Sequence, residues 1–289
     1  MRILLLGANG QLGTDLHAAC AAQERSVQLL PLRRSDLDVT QLDAVGPFLA
    51  RHDFDALVNC TSYHKTDEVE DHATQAFVVN AHAVLELARA CARTGAALVH
   101  ISTDYVFDGA LRRPYSESDG PGPINVYGAS KAMGERLALG AWERTFVLRV
   151  ASLFGVAGAS GKGGNFVETM IRVGRERGEL RVVNDITMSP TATCDVARAL
   201  LALLQAEAPP GVYHLVNSGA ATWYEFARAI IAGAGVPAAV EPITSREYPT
   251  RAARPPYSVL DNTKITARVG PLPHWRDALE RYLVARESR

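Results

Sequence analysis

The chain has 289 residues, 47% apolar and 21% charged, which is enough for one large core or a main domain with a smaller partner. Its 30 Lys and Arg against 31 Asp and Glu leave a formal charge of −1, so no basic field exists to hold a polyanion, and nucleic acid is not an expected partner. Cys20, Cys60, Cys91 and Cys194 form no CxxC pair, the histidines show no ligand spacing, and no apolar run reaches membrane length or resembles a signal peptide. These features describe a cytoplasmic chain with reduced thiols, no metal site and no membrane contact.

Short β-branched or leucine-rich runs predict strands at 2–6, 27–31, 55–59, 97–102 and 145–150. Helix-length segments at 11–23, 40–51, 70–93 and 125–140 separate them. Their alternation predicts an α/β fold, a Rossmann-type doubly wound parallel sheet over residues 1–150 that binds a dinucleotide. Past 150, the Gly-rich stretch 155–164, Pro209-Pro210 and Pro255-Pro256 cut the chain into shorter pieces. Helices predicted at 166–177, 193–206, 222–233 and 274–286 make residues 151–289 mainly a smaller mixed α/β C-terminal substrate lobe, with a return to the large domain left open.

Gly7-Ala8-Asn9-Gly10-Gln11-Leu12-Gly13 follows the first strand at once and opens a helix. Small residues let the backbone approach a pyrophosphate, and the helix N-terminus offers N–H groups and a positive dipole end. Gly7, Asn9, Gly10, Gln11, Leu12 and Gly13 are therefore candidate cofactor contacts, although an ordinary tight turn uses similar residues. After the second strand stand Arg33 and Arg34, where binding to free ribose hydroxyls would favour an acid. Two guanidinium groups suit a 2′-phosphate, which favours NADPH over NADH; a solvated surface pair would look the same. Asp38 is positioned to accept a hydrogen bond from the adenine amino group.

Tyr127-Gly128-Ala129-Ser130-Lys131 places a phenol and an ammonium one helical turn apart. Reducing a carbonyl requires a proton for the developing alkoxide, and the lysine is expected to draw the phenol toward working pH. Thr103, at the end of the run from Ala96 to Ile101, supplies a hydroxyl above the carboxyl edge of the sheet, where open α/β sheets place ligands. Thr103, Tyr127 and Lys131 are the candidate catalytic residues, with Lys131 also reaching the nicotinamide ribose. Arg254 suits a substrate diphosphate or a surface position equally. Asp195 reads as a helix-start residue, and Trp223 as a packing residue on an amphipathic helix.

With Ser102-Thr103-Asp104-Tyr105-Val106-Phe107, Pro123 to Lys131 and Glu135, the glycine turn resembles the dTDP-4-dehydrorhamnose reductase family of extended short-chain dehydrogenases/reductases. Asn165-Phe166-Val167, Val183-Asn184-Asp185, Gly211 to Leu215, Thr222-Trp223-Tyr224 and Arg254-Pro255 extend the likeness over nearly the whole chain. The resemblance implies reduction of C4 of dTDP-4-dehydro-L-rhamnose with NAD(P)H, giving dTDP-L-rhamnose. Tyr127 would donate the proton, Lys131 tune it and Thr103 bind the carbonyl oxygen, with Asp104, Tyr105 and Lys131 lining the sugar pocket. It also implies homodimers with magnesium at the subunit contact, where Asp15 matches one acidic position. Leu153 stands where the rhamnose enzymes usually carry a sugar-contacting tryptophan, which leaves the exact sugar open. The stretch 59–68 departs from the family too, so His64 or Lys65 is either a sugar contact or a loop residue.

Two neighbouring readings share these motifs. Another nucleotide-sugar 4-ketoreductase or a 4-epimerase would keep the Tyr/Lys pair, whereas a dehydratase would need an Asp-Glu after the threonine, and Asp104 is followed by Tyr105. A non-catalytic regulatory subunit resembling that of methionine adenosyltransferase is the rival from another class, and intact Thr103, Tyr127 and Lys131 weigh against it.

Overall fold

The computed structural model describes residues 1–23, 26–158 and 164–287; of the Gly-rich stretch 155–164, residues 159–163 lie outside them. The first half runs β1 (Arg2–Leu6), α1 (Gln11–Ala21), β2 (Gln28–Leu32), α2 (Leu42–Leu49), β3 (Ala56–Asn59), α3 (Ala83–Thr94), β4 (Ala97–Thr103), α4 (Val126–Ala141) and β5 (Thr145–Val150). The second runs α5 (Phe166–Arg177), β6 (Glu179–Val183), α6 (Thr193–Gln205), β7 (Gly211–His214), α7 (Trp223–Gly233), β8 (Ala239–Ile243), α8 (Thr263–Val269) and α9 (Trp275–Glu287).

A six-stranded parallel sheet has the order β7-β5-β4-β3-β1-β2. Ile3, Leu4, Leu5 and Leu6 are all buried because helices cover both faces, which is why the strand reads as a continuous apolar run. On one face Leu12, Leu16 and Cys20 of α1 pack with Val196 and Leu200 of α6 and Ile265 of α8. On the other, Val45 and Leu49 of α2 meet Val84, Leu87 and Cys91 of α3 and Ala138 of α4. The predicted doubly wound α/β sheet is therefore present. Edge strand β2 carries Pro31, which has no N–H to give and is tolerated where one side lacks a neighbour.

The chain after Val150 contributes to both halves. α6, β7 and α8 join the large sheet, while Phe154, Val167, Ile171, Phe226, Ile230, Trp275 and Tyr282 form a separate core between α5, α7, α9 and the parallel pair β6–β8. Side-chain caps open the helices of this second core: Asn165 accepts from the Glu168 N–H, and Thr222 with Glu225 makes a reciprocal capping box.

One predicted element is corrected. The helix expected over 70–93 is a short helix at Thr66–Val69, a turn, a second helix from Ala73–Phe77, a π turn at Val78–His82 and then α3. Asn80 in that π turn is fully buried and uses its whole carboxamide: Oδ1 accepts from the Tyr63 N–H at 2.9 Å and Ser62 Oγ at 3.2 Å, while Nδ2 donates to the Tyr63 carbonyl at 3.1 Å and Ser130 Oγ at 3.0 Å. The wider turn ties the 61–65 loop to α4, a common use of π bulges near sites. Among the described residues, no helix is long and apolar enough to cross a membrane.

Candidate active site

The chain leaves β1 toward β2 on one side and returns to β3 on the other, so a crevice opens between the carboxyl ends of β1 and β3. A cleft of about 1050 Å³ occupies it, continuing past the ends of β4 and β5 toward α5 and α7. Its size suits two ligands side by side.

The glycine turn forms one wall. Gly7 has φ +77°, and a Cβ at Gly13 would come within 2.4 Å of the Gly7 carbonyl oxygen, so both positions require glycine for α1 to start this close to β1. Gly10 is the N-cap of α1 and no side chain caps it, leaving the first-turn N–H groups available for an anion. Asn9 and Gln11 line the same wall; Gln11 Nε2 donates to the Leu153 carbonyl at 3.4 Å while its buried Oε1 has no hydrogen-bond partner. A cradle that any Cβ would fill, free N–H groups and an orphan acceptor fit the pyrophosphate and ribose portion of a dinucleotide. Leu12 lies beneath, buried in the sheet core.

Arg33 and Arg34 sit on the rim just after β2, both exposed. Asp38 is partly committed elsewhere: Oδ1 accepts from the Thr40 N–H and hydroxyl, and Oδ2 from Arg34 Nε at 3.0 Å. Burial acts to raise its pKa, but those hydrogen bonds outweigh it and hold the carboxyl below its ordinary value. Replacing both Arg33 and Arg34 with Ala is expected to raise KM for NADPH by about 10- to 100-fold, the weight of one or two charge-assisted hydrogen bonds to a phosphate. KM for NADH should stay within about twofold, since that cofactor has no 2′-phosphate; equal losses for both would remove the assignment.

Thr103 ends β4, and Tyr127 and Lys131 lie on α4, whose N-cap Asn125 accepts from the Gly128 N–H at 2.7 Å. A Cβ on Gly128 would stand 2.0 Å from the Tyr105 carbonyl oxygen, so this glycine lets α4 press against the strand end and bring the phenol to the threonine. Burial pushes the Tyr127 pKa up to about 12, against the opposing influence of the nearby Thr103 and Ser62 hydroxyls. The three predicted residues therefore meet, but the expected tuning differs. Lys131 lies in the same cleft with polar partners of its own: it is 1% exposed, donates to the Ile101 carbonyl at 2.6 Å and lies 3.2 Å from His100 Nε2. Burial lowers its pKa to about 8, against the attraction of Glu135.

Thr103 gives its hydroxyl hydrogen to Asp104 Oδ1 at 3.0 Å, so binding a carbonyl oxygen requires that rotor to turn. Asp104 also accepts from Ser258 Oγ at 2.6 Å, and burial lifts its pKa to about 6. Tyr105 lines the cleft edge-on to Tyr127, with ring centroids 6.1 Å apart. Arg254 lies 6.0 Å over the Tyr105 ring, outside the cleft lining, and pairs with Asp67 at 2.7 Å. Leu153 lines the cleft next to Ser152, a non-glycine residue at φ +43°. Trp223 both packs on Phe166, at 4.6 Å between centroids, and faces the cleft; His64 and Lys65 line it as well. Asp195 lies in the first turn of α6, buried and held by Arg281, Asn217 and Arg198.

Sequence reasoning missed Ser62, Asn80 and His100, which brace the catalytic residues. The only signal for them was a polar residue inside or closing an apolar run.

A family model described as the RmlD substrate binding domain matches residues 1–287. The chain belongs to this family. It is 40% identical to dTDP-4-dehydrorhamnose reductase of Mycobacterium tuberculosis over 98% of this chain and 93% of that one. A crystal structure of a dTDP-4-dehydrorhamnose reductase from Clostridium acetobutylicum superposes with a TM-score of 0.93 at 35% identity, covering 99% and 100% of the two chains. The Bacillus anthracis enzyme, solved in complex with NADP, superposes with a TM-score of 0.91 at 35% identity, covering 98% and 99%. Asp15, the position that the resemblance links to magnesium, accepts from the Thr193 hydroxyl.

Proposed function

We propose that this chain uses NADPH to reduce the C4 ketone of dTDP-4-dehydro-L-rhamnose to dTDP-L-rhamnose. The observation that carries the reading is the meeting of Thr103, Tyr127 and Lys131 in one cleft with the glycine turn. The cofactor, when bound, supplies hydride. Tyr127 supplies the proton: a phenol pushed up to about 12 is fully protonated at neutral pH, and an alkoxide is a far stronger base, so transfer to it is downhill. Lys131, as an ammonium, opposes the negative charge left on the phenol oxygen. Thr103 and Tyr105 orient the sugar, the threonine hydroxyl turning from Asp104 to the carbonyl oxygen. Leu153 and Trp223 provide the apolar surface beside it, and Arg254 stands behind Tyr105 on the diphosphate side.

The large sheet with its glycine turn would hold the dinucleotide, and the core between α5, α7 and α9 would carry the sugar-facing wall. Work in the cytoplasm, with the four cysteines as free thiols, belongs to this reading. The homodimer implied by family resemblance is part of the same proposal.

Incubation with the dTDP-4-keto sugar should consume one NADPH for each dTDP-6-deoxysugar formed. Product without net NADPH loss would indicate an epimerase, and cofactor binding with no turnover on any 4-keto sugar would leave the regulatory-subunit reading.

A further inference from the structure

Lys131 is docked against a side chain whose hydrogen-bonding polarity can be read from its neighbours. Asn59 and His100 are both fully buried and face each other across the β3–β4 pair, with Asn59 Nδ2 3.2 Å from His100 Nδ1. The Asn59 carboxamide has only one workable orientation. Its Oδ1 accepts from the Thr61 N–H at 3.0 Å and from the Thr61 hydroxyl at 2.6 Å, and a backbone N–H cannot be reversed. Its NH2 group is therefore the part that faces His100, and His100 Nδ1 must accept.

A neutral imidazole carries one N–H. With Nδ1 accepting, that hydrogen sits on Nε2, 3.2 Å from Lys131 Nζ. An imidazolium would set donors against both neighbours, and burial with the nearby lysine also holds His100 well below its ordinary pKa. An ammonium in this place would turn N–H toward N–H. An amine would accept from His100 Nε2 and still donate to the Ile101 carbonyl.

We infer that His100 is a positioning residue for Lys131: the Thr61–Asn59–His100 chain fixes the Nε2–H tautomer, so that the docked lysine is an amine and protonation releases it from His100 toward the reacting phenol. The inference rests on the reading of Lys131 as part of the reducing site. The other ionisable groups facing Lys131 are Glu135 on its own helix and Cys60 after β3. Glu135 pairs with Arg149 yet still draws the lysine value upward, and burial pushes the Cys60 thiol up to about 12; both stay as they are in the variants below, so neither accounts for a difference between them. Because the lysine value is lowered to about 8, the ammonium form that assists reduction is present below that pH and is lost as pH rises through it. The polarity of His100 helps set where this alkaline limb falls.

Two measurements test the inference. Long-range ¹H–¹⁵N spectra of the full chain with labelled histidine should show His100 with a protonated Nε2 and a bare Nδ1, whether or not any sugar is turned over; a hydrogen on Nδ1 would overturn it. Asn59→Asp keeps the side-chain shape but lets the imidazole donate from Nδ1, which turns a bare Nε2 toward the lysine. The spectrum should then invert, and the alkaline limb of kcat/KM should move up by about one pH unit or more, the size of one hydrogen bond gained by the charged form. The new carboxylate also attracts the lysine directly, so the double variant Asn59→Asp/His100→Phe carries the charge without the imidazole and should shift less. An equal shift in both would overturn the inference. Absence of activity in the wild type would count against the proposed function and leave the tautomer result standing.

Discussion

Tyr127→Phe is expected to lower kcat for ketone reduction by about 10²- to 10⁴-fold, the usual weight of a positioned proton donor. Cofactor affinity should change little, because the phenyl ring keeps the edge-on contact with Tyr105 and only the hydroxyl between Thr103 and Ser62 is lost. Single-turnover rates with saturating NADPH, together with fluorescence titration of the cofactor, separate the two effects. If the variant turned over like the wild type, the proton would have to come from elsewhere and the central assignment would fail. A loss confined to KM would instead make Tyr127 a binding residue.

Arg149→Met is expected to cost about 3–5 kcal/mol of folding stability, the range for breaking one side of a buried ion pair. Arg149 on β5 and Glu135 on α4 are each 3% exposed and form a fork, with Nη2 to Oε2 at 2.7 Å and Nε to Oε1 at 3.0 Å. Ser102 on β4 donates to the same carboxylate, and the guanidinium lies 5.0 Å over the Phe107 ring. The methionine would leave Glu135 charged, buried and held only by the serine. Adding Glu135→Gln should recover most of the loss, because the remaining amide is neutral. Urea unfolding midpoints of the wild type, single and double variants measure this; a single variant within about 1 kcal/mol of the wild type would mean that water reaches the pair.

What the sequence revealed depended on how local each signal was. β1, β4 and β5 are continuous apolar runs bounded by turns, and the structure places them within a residue of expectation. β7 is only Gly-Val-Tyr-His, and what makes it a strand is its pairing with Phe146 to Arg149, far back in the chain. Nothing in four residues announces such a partner. The π turn at Asn80 was hidden by alanine-rich helical periodicity, since one extra residue per turn changes the register without changing the composition. Tyr127 and Lys131 were legible because helix geometry alone sets their spacing. Which way the lysine points was not, because that depends on His100 and the Ile101 carbonyl on another element. Arg33 and Arg34 were found by counting from the second strand, whereas Asp38 is drawn into bonds with Thr40 and Arg34 that no spacing rule foresees.

The late return of β7 to the flank of β5 has a consequence for how the molecule is made. During synthesis the ribosome delivers β1 to β5 long before residues 211–214 emerge, and until then β5 presents an open row of backbone donors and acceptors. The intervening segment must be built and looped out before that row is covered, a long closure that slows assembly and prolongs exposure to other nascent chains. Maturation of the whole sheet is thus tied to nearly the last quarter of translation, and the amino-terminal half cannot finish its architecture alone.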